Sequence, residues 1–386
     1  MHLRFDNDDN PISYESYTQC EPLAVASDHE GKPTSTLTEE SFTFDGGDIE
    51  ILVRGTNDQV LHGRVCSQVM VMQSPIQLLL GYPPFAQLPS DSSTAELGIG
   101  QSSGSLKSRF FDQLTRPVEQ LDFTTDDPEA LHILLSIAHL RVKEVPRTYL
   151  PYQKILDLAL LCDQYDNAAL LSAHLPQWLP REARQWRKTG QVGWIWIAFA
   201  FGKHSMFQHL AAHLVQQVSE TKENLCIPCS DGRLRYLLPE ELPPGVMENT
   251  KRLRSQTINI LISLIASWME PLASIHTTRC LRDDKDCDLL FHFKFVRGLC
   301  RLGMWPLNPS RPITESLKCL VDKLLRLVST DLKIDKKWNQ HQHAECRDLQ
   351  RFEKDIKGVM ALIPRHAIRD CQKVSMDRTR SKIMRD

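Results

Sequence analysis

The sequence predicts an α+β protein, with short strands and helices in an N-terminal unit followed by a mainly α-helical C-terminal region. Three observations predict this. Ile49, Ile51 and Val53 alternate with Asp48, Glu50 and Arg54, the period-two pattern of a half-buried strand. Ile155, Leu158, Ala159, Cys162 and Tyr165 recur at the 3-1-3-3 spacing of an amphipathic helix. Beyond Trp194 every sustained apolar pattern is helical, the longest running from Leu253 to Leu272.

Taken in order, residues 1–41 form an acidic tail without periodicity, expected to be disordered. Gly55-Thr56-Asn57-Asp58 supplies turn chemistry, because Gly and Asn tolerate positive φ, and Val60–Val65 returns as the partner strand. Cys66–Met72 reads as helix. Ser74-Pro75 reads as an N-cap followed by Pro at the first helical position, opening a second short helix over Ile76–Leu80. From Tyr82 to Arg116 Pro, Ser and Gly dominate, which predicts a loop insertion. Val118, Leu121 and Phe123 suggest a short strand. Thr125-Asp126-Asp127-Pro128-Glu129 then opens a helix with a capping oxygen, an early Pro and acids near the positive end of the helix dipole. That helix runs to Leu140, and Asn167–Leu179 is expected to be another, kinked or shortened by Pro176.

In the second half, Trp194, Ile197, Ala198 and Phe201 mark a helix stopped at Gly202, and Phe207, Leu210, Ala211 and Leu214 mark the next. Cys226–Gly245 reads as loop. Leu289–Leu302, Thr314–Val328 and Cys346–Leu362 read as further helices, and Lys373–Asp386 as a basic, frayed end. The expected organisation is therefore a tail at 1–41, an N-terminal domain at 42–180 with an insertion at 82–116, helical regions at 181–274 and 275–372, and a basic tail at 373–386.

Composition bounds the function. A 41% hydrophobic, 24% charged chain has the make-up of a soluble globular protein able to bury a core. Its net charge of −2 gives no bulk reason to expect nucleic acid or an anionic membrane as partner. The most apolar runs fall short of the ~20 residues of a membrane span. No signal peptide is visible, so an intracellular protein, of cytoplasm or nucleus and not secreted, is expected. Cys162, Cys300 and Cys319 lie within helical pattern and read as reduced, buried thiols.

The order of hairpin, helix pair, short strand, DDPEALHILLSIAH, VPRTYLPYQKILDLALLCDQYDNAALL and a Trp-ended helix resembles a BTB/POZ domain, most of all those of a large group of fungal BTB proteins. GWIWIAFAFGKHSMFQHLAAHLV and CDLLFHFKFVRGLCRLGMWP resemble the helical regions that follow BTB in that group, so the resemblance covers roughly residues 42 to 330. Departures are visible. Cys66-Ser67 stands near the group's usual histidine–arginine pair, and Gln77 where an aromatic is usual. The hydrophobic-x-Glu segment used against cullin scaffolds has no clean copy, Pro117-Val118-Glu119 being a poor one.

The resemblance implies a non-enzymatic protein–protein interaction protein, self-associating as a homodimer or scaffolding. Ile49, Ile51, Val69, Leu78 and Leu79 would hold the module. It also implies, as an alternative, a substrate adaptor of a cullin-type ubiquitin ligase. A further alternative, a zinc-binding or nucleic-acid-associated regulator, comes from the residues themselves. Cys226-Ile227-Pro228-Cys229 has zinc-knuckle or redox spacing, and His341, His343 and Cys346, or Cys280 and Cys287, are the candidate completing ligands. A zinc site needs two more ligands than one C-x-x-C supplies, so incidental surface cysteines are the commoner reading. His209 and His213 stand at i, i+4 without the Glu of a protease motif, and a solvated polar face is the commoner reading there. No nucleophile, phosphate-loop or kinase motif is present; Gly98-Ile99-Gly100 follows no strand and opens no helix. No cofactor and no catalytic residue are expected. Trp194 and Trp196 read as core.

Overall fold

The computed structural model describes residues 37–55, 57–73, 120–179, 186, 190–222, 224–229, 231–274, 276, 278–308, 312–332 and 349–384. Its first sheet follows directly from the alternation in the sequence. Strand β1 (Ile49–Arg54) pairs antiparallel with β2 (Val60–Val65) in the register Ile49↔Val65 to Arg54↔Val60. Ile49, Ile51, Val53, Leu61 and Val65 all face the core. Each such side chain contributes roughly 1.5–3 kcal/mol by leaving water. The turn closes through the Asp58 N–H on the Gly55 carbonyl (3.1 Å), and the positive φ falls on Asp58 rather than on Gly55 or Asn57. Gly63 has a packing reason: a Cβ there would lie 2.6 Å from the Phe42 Cβ and carbonyl oxygen.

Strand β3 (Gln120–Phe123) lies on the other side of β1 and runs parallel to it, giving the order β2-β1-β3. A parallel neighbour requires a crossover connection, and the chain between Val65 and Gln120 spans it. Helix α1 (Ser67–Gln73) opens that connection. Within it Met70 is buried, whereas Val69, expected to anchor the module, is only half-buried. Leu78 and Leu79, the expected Ile76–Leu80 helix and the 82–116 insertion lie outside the described residues.

Helix α2 (Pro128–Ala138) begins where the sequence places it. The Asp127 carboxylate accepts the Ala130 N–H at 2.8 Å, satisfying a first-turn donor. Its buried face includes Leu131, Leu134, Leu135 and Ala138, and it ends before the expected Leu140, which adopts φ +59°. Helix α3 (Tyr152–Gln164) buries Ile155, Leu158, Ala159 and Cys162. The expected helix over Asn167–Leu179 is instead a 3₁₀ turn (Ala168–Leu171) and a short α4 (Leu175–Trp178). Pro176 explains the break: it has no N–H to continue an earlier helix and fits only in a first turn. Trp178 is fully buried and donates its indole N–H to the Pro146 carbonyl at 2.9 Å.

Helices α5 (Trp194–Ala200) and α6 (His204–Gln217) are separated by Gly202 at φ +59°. The segment read as loop carries a second sheet, β4 (Ser219–Thr221), β5 (Asn224–Pro228) and β6 (Leu234–Tyr236), antiparallel in that order. Leu225, Cys226 and Ile227 are buried in succession, so no alternation signals β5, and its neighbours are three residues each. Helix α7 (Val246–Ala273) follows, then α8 (Lys285–Arg301), capped by Asp284, and α9 (Leu317–Arg326), capped by Ser316. A π-helical turn, Leu327–Asp331, extends α9. Helix α10 (Leu349–His366) packs on α7 and α6.

Most of the expected frayed end at 373–386 is helical instead. Residues Asp370–Ile383 form α11, which packs on the Ala168–Leu171 turn and on α5. Met376 is fully buried, the Gln372 amide donates to the Pro244 carbonyl (2.9 Å), and Lys382 pairs with Asp166 at 2.5 Å. One contiguous hydrophobic core runs from Phe42 to Met376. Among the described residues no helix is long and apolar enough to cross a membrane.

Candidate interaction surfaces

The hairpin is tied to its helix at the Val65–Ser67 junction. Asp48, just before β1, accepts the Ser67 N–H at 2.6 Å and the Ser67 hydroxyl at 2.5 Å, and the hydroxyl bond above all holds the Asp48 carboxyl below the usual carboxylate range. The Cys66 N–H donates to His139 Nε2 (3.1 Å) while His139 Nδ1 donates to the Leu135 carbonyl (2.9 Å), which requires the neutral ring. Burial accordingly pushes His139 below its ordinary value. The imidazole stacks on Phe44 at 4.2 Å between ring centres, and the Arg141 guanidinium lies 4.2 Å from the Phe44 ring centre. Cys66-Ser67 thus takes up the junction through its backbone and a hydroxyl.

The edges of the first sheet differ. On β2 the Arg64 carbonyl accepts the Phe44 N–H (2.8 Å) and the His62 N–H donates to the Glu39 carboxylate (3.3 Å), so this edge is covered by the segment leading into β1. Among the described residues the outer edge of β3 has no ladder partner. Three large apolar side chains stand exposed on the loop after α2: Leu140, Val142 and Tyr149. On β6 the bonds from Leu237 N–H to the Leu225 carbonyl (2.9 Å) and from Cys229 N–H to the Arg233 carbonyl (2.7 Å) turn alternate residues inward. The main-chain groups of Leu234 and Tyr236 therefore point away from β5.

Among the described residues the candidate ligands do not converge. Cys226 lies in β5 with its side chain buried, and burial raises its thiol, so the surface reading fails for it; Cys229 is half-buried at the strand end. Among the described residues no three His, Cys, Asp or Glu side chains gather as a metal site. His341, His343 and Cys346 lie outside those residues. Cys162 is buried as expected, whereas Cys300 and Cys319 are exposed, because each faces outward from an amphipathic helix. On α6, His209 is exposed and its Nδ1 donates to the Ser205 carbonyl (2.7 Å), and His213 is half-buried. Trp194 is core, while Trp196 is partly buried and its indole N–H has no hydrogen-bond partner among the described residues.

Two arrangements escaped the sequence reading. Arg254 of α7 is 3% exposed and binds the Glu220 carboxylate of β4 at 2.6 Å and the carbonyls of Ile313 and Glu315. A lone cation on the apolar stripe beside Leu253, Thr257 and Ile258 was its available signal. The second is a cavity of about 530 Å³ where the Phe201–Met206 turn meets the end of α11, lined also by Leu179 and Trp186. Its parts are too far apart in sequence to be joined by any local pattern.

Comparisons with protein-family models, with curated proteins and with solved structures gave no match to this chain.

Proposed function

We propose that this chain is a non-enzymatic protein–protein interaction protein of the BTB/POZ type, self-associating or serving as a scaffold. The observation that carries the reading is the order of elements from Ile49 to Trp178. Among the described residues a hairpin, one helix of the expected pair, a third strand, two helices and, after a 3₁₀ turn, a short helix ending in Trp follow one another, an order that supports the reading. Ile49 and Ile51 take core positions in it, which leaves recognition to the surface. The outer edge of β3 offers backbone pairing, and Leu140, Val142 and Tyr149 offer apolar area, the two ingredients by which such a module associates. Static light scattering on the full chain over a hundredfold range of concentration tests this. A dimer mass is expected, and a monomer at the highest concentration would remove self-association from the reading.

A further inference from the structure

The cavity between α6 and α11 carries a more specific inference. Gly202 turns the chain so tightly against α11 that a Cβ on it would lie 2.7 Å from the Met376 carbonyl oxygen and 3.0 Å from the Arg380 Cβ. This brings Lys203 and Arg380 together in the lining of the 530 Å³ cavity. Neither cation has an ion-pair partner among the described residues, although their neighbours do: Lys382 and Arg378 both reach Asp166, at 2.5 and 3.9 Å. Although Lys203 is solvent-exposed, partial desolvation of its amine, and then the nearby Arg380 charge, depress its pKa.

Asp377 of α11 is a carboxylate beside the turn, on the His204 side. Its Oδ1 lies 3.0 Å from the buried His204 Nε2, off the direction of a hydrogen bond. The cavity walls behind the cations are apolar, formed by Leu179, Trp186, Phe201, Met206 and Ile383.

We propose that this cavity binds a linear segment of a partner protein in which an apolar side chain is flanked by carboxylates. The apolar side chain fills the pocket against Trp186, Met206 and Ile383, and the carboxylates meet Lys203 and Arg380. Charge complementarity selects the flanks, and the apolar wall distinguishes a peptide anchor from a purely electrostatic contact. The inference rests on the interaction reading above only in treating the chain as a protein-binding protein.

The test uses the full chain and a fluorescein-labelled synthetic peptide with Leu-Phe set between Asp-Glu pairs, read by anisotropy. One control peptide has Ser in place of Leu-Phe, and another has Asn and Gln in place of the acids. The acidic-apolar peptide is expected to bind, with both controls at least tenfold weaker. Lys203→Glu and Arg380→Glu are each expected to weaken it about tenfold, the scale of one charge contact reversed. Both side chains are exposed, so thermal melts should match the parent chain. No binding, equal binding of the Ser control, binding unmoved by either charge reversal, or tighter binding of a labelled single-stranded DNA would overturn the proposal. Light scattering on the same samples separates the readings: a dimer that ignores the peptide removes this site and leaves self-association standing.

Discussion

Arg254 gives the sharpest test of how the second half is held together. Substituting Met keeps much of the stem's packing and removes the guanidinium. In the parent chain that group makes a charged hydrogen bond to Glu220 (2.6 Å) and donates to the carbonyls of Glu315 (2.9 Å) and Ile313. Glu220 is 39% exposed at its side chain, so its carboxylate rehydrates and the cost on that side is small. The two carbonyls belong to half-buried residues and lose their partner, at about 1 kcal/mol each, the low end for a buried unsatisfied group. Loss of the charged hydrogen bond adds about 1 kcal/mol, and the desolvation recovered by removing a buried cation offsets part of the total. The expected loss for Arg254→Met is therefore about 2–3 kcal/mol. Arg254→Lys, which keeps the charge and forfeits the fork, should lose about half of that. Urea denaturation with an unchanged m-value measures both. A variant within 0.5 kcal/mol of the parent, or a Lys variant as unstable as the Met variant, would refute the argument that the fork to the backbone carries the stabilisation.

Other outcomes follow from the same structure. Gly202→Ala should destabilise by about 2–4 kcal/mol, from a positive φ and a Cβ meeting the Met376 carbonyl, read as a lowered urea midpoint; a neutral result would mean that α11 is not seated against the turn. His139 predicts a pH dependence. Above its ordinary value of 6.5 both folded and unfolded chains hold it neutral, and stability is full. As pH falls through 6.5 the unfolded chain takes up a proton that burial denies the folded chain, so stability drops until the folded value is passed. His139→Gln should flatten the fall of the urea midpoint below pH 6.5 relative to the parent, and identical slopes would contradict the assignment. Alkylation by iodoacetamide, followed by mass spectrometry of the native chain, should label exposed Cys300 and Cys371 early and Cys162 only on unfolding, because burial raises its thiol; early labelling of Cys162 would contradict its place in the core.

The sequence was most informative where one face of an element is wet and the other dry. The alternation around Ile49, Ile51 and Val53 and the Asp127-Pro128 cap placed β1 and α2 closely, because side-chain period and cap chemistry are local. Strand β5 was hidden for the converse reason: Leu225, Cys226 and Ile227 are buried in succession, so the period-two signal vanishes. Helix α11 was hidden because its apolar residues are sparse; its place depends on Met376 and Gln372 meeting partners far back in the chain. Pro176 was read as kinking or shortening a single helix, and it sits in the first turn of a short new one, where its ring is tolerated. The cavity could not be read at all, since Leu179, Lys203 and Arg380 are brought together by tertiary packing alone.

The central proposal is that the unit from Ile49 to Trp178 mediates association. Mixing isotope-labelled and unlabelled full-length chains, cross-linking them at lysines and carboxylates, and identifying mixed-isotope peptides tests it most directly. Inter-chain links concentrated within residues 42–180 are the predicted result. Absence of mixed-isotope links at concentrations where light scattering reads a dimer mass, or links confined to the helices from Lys285 onward, would contradict it.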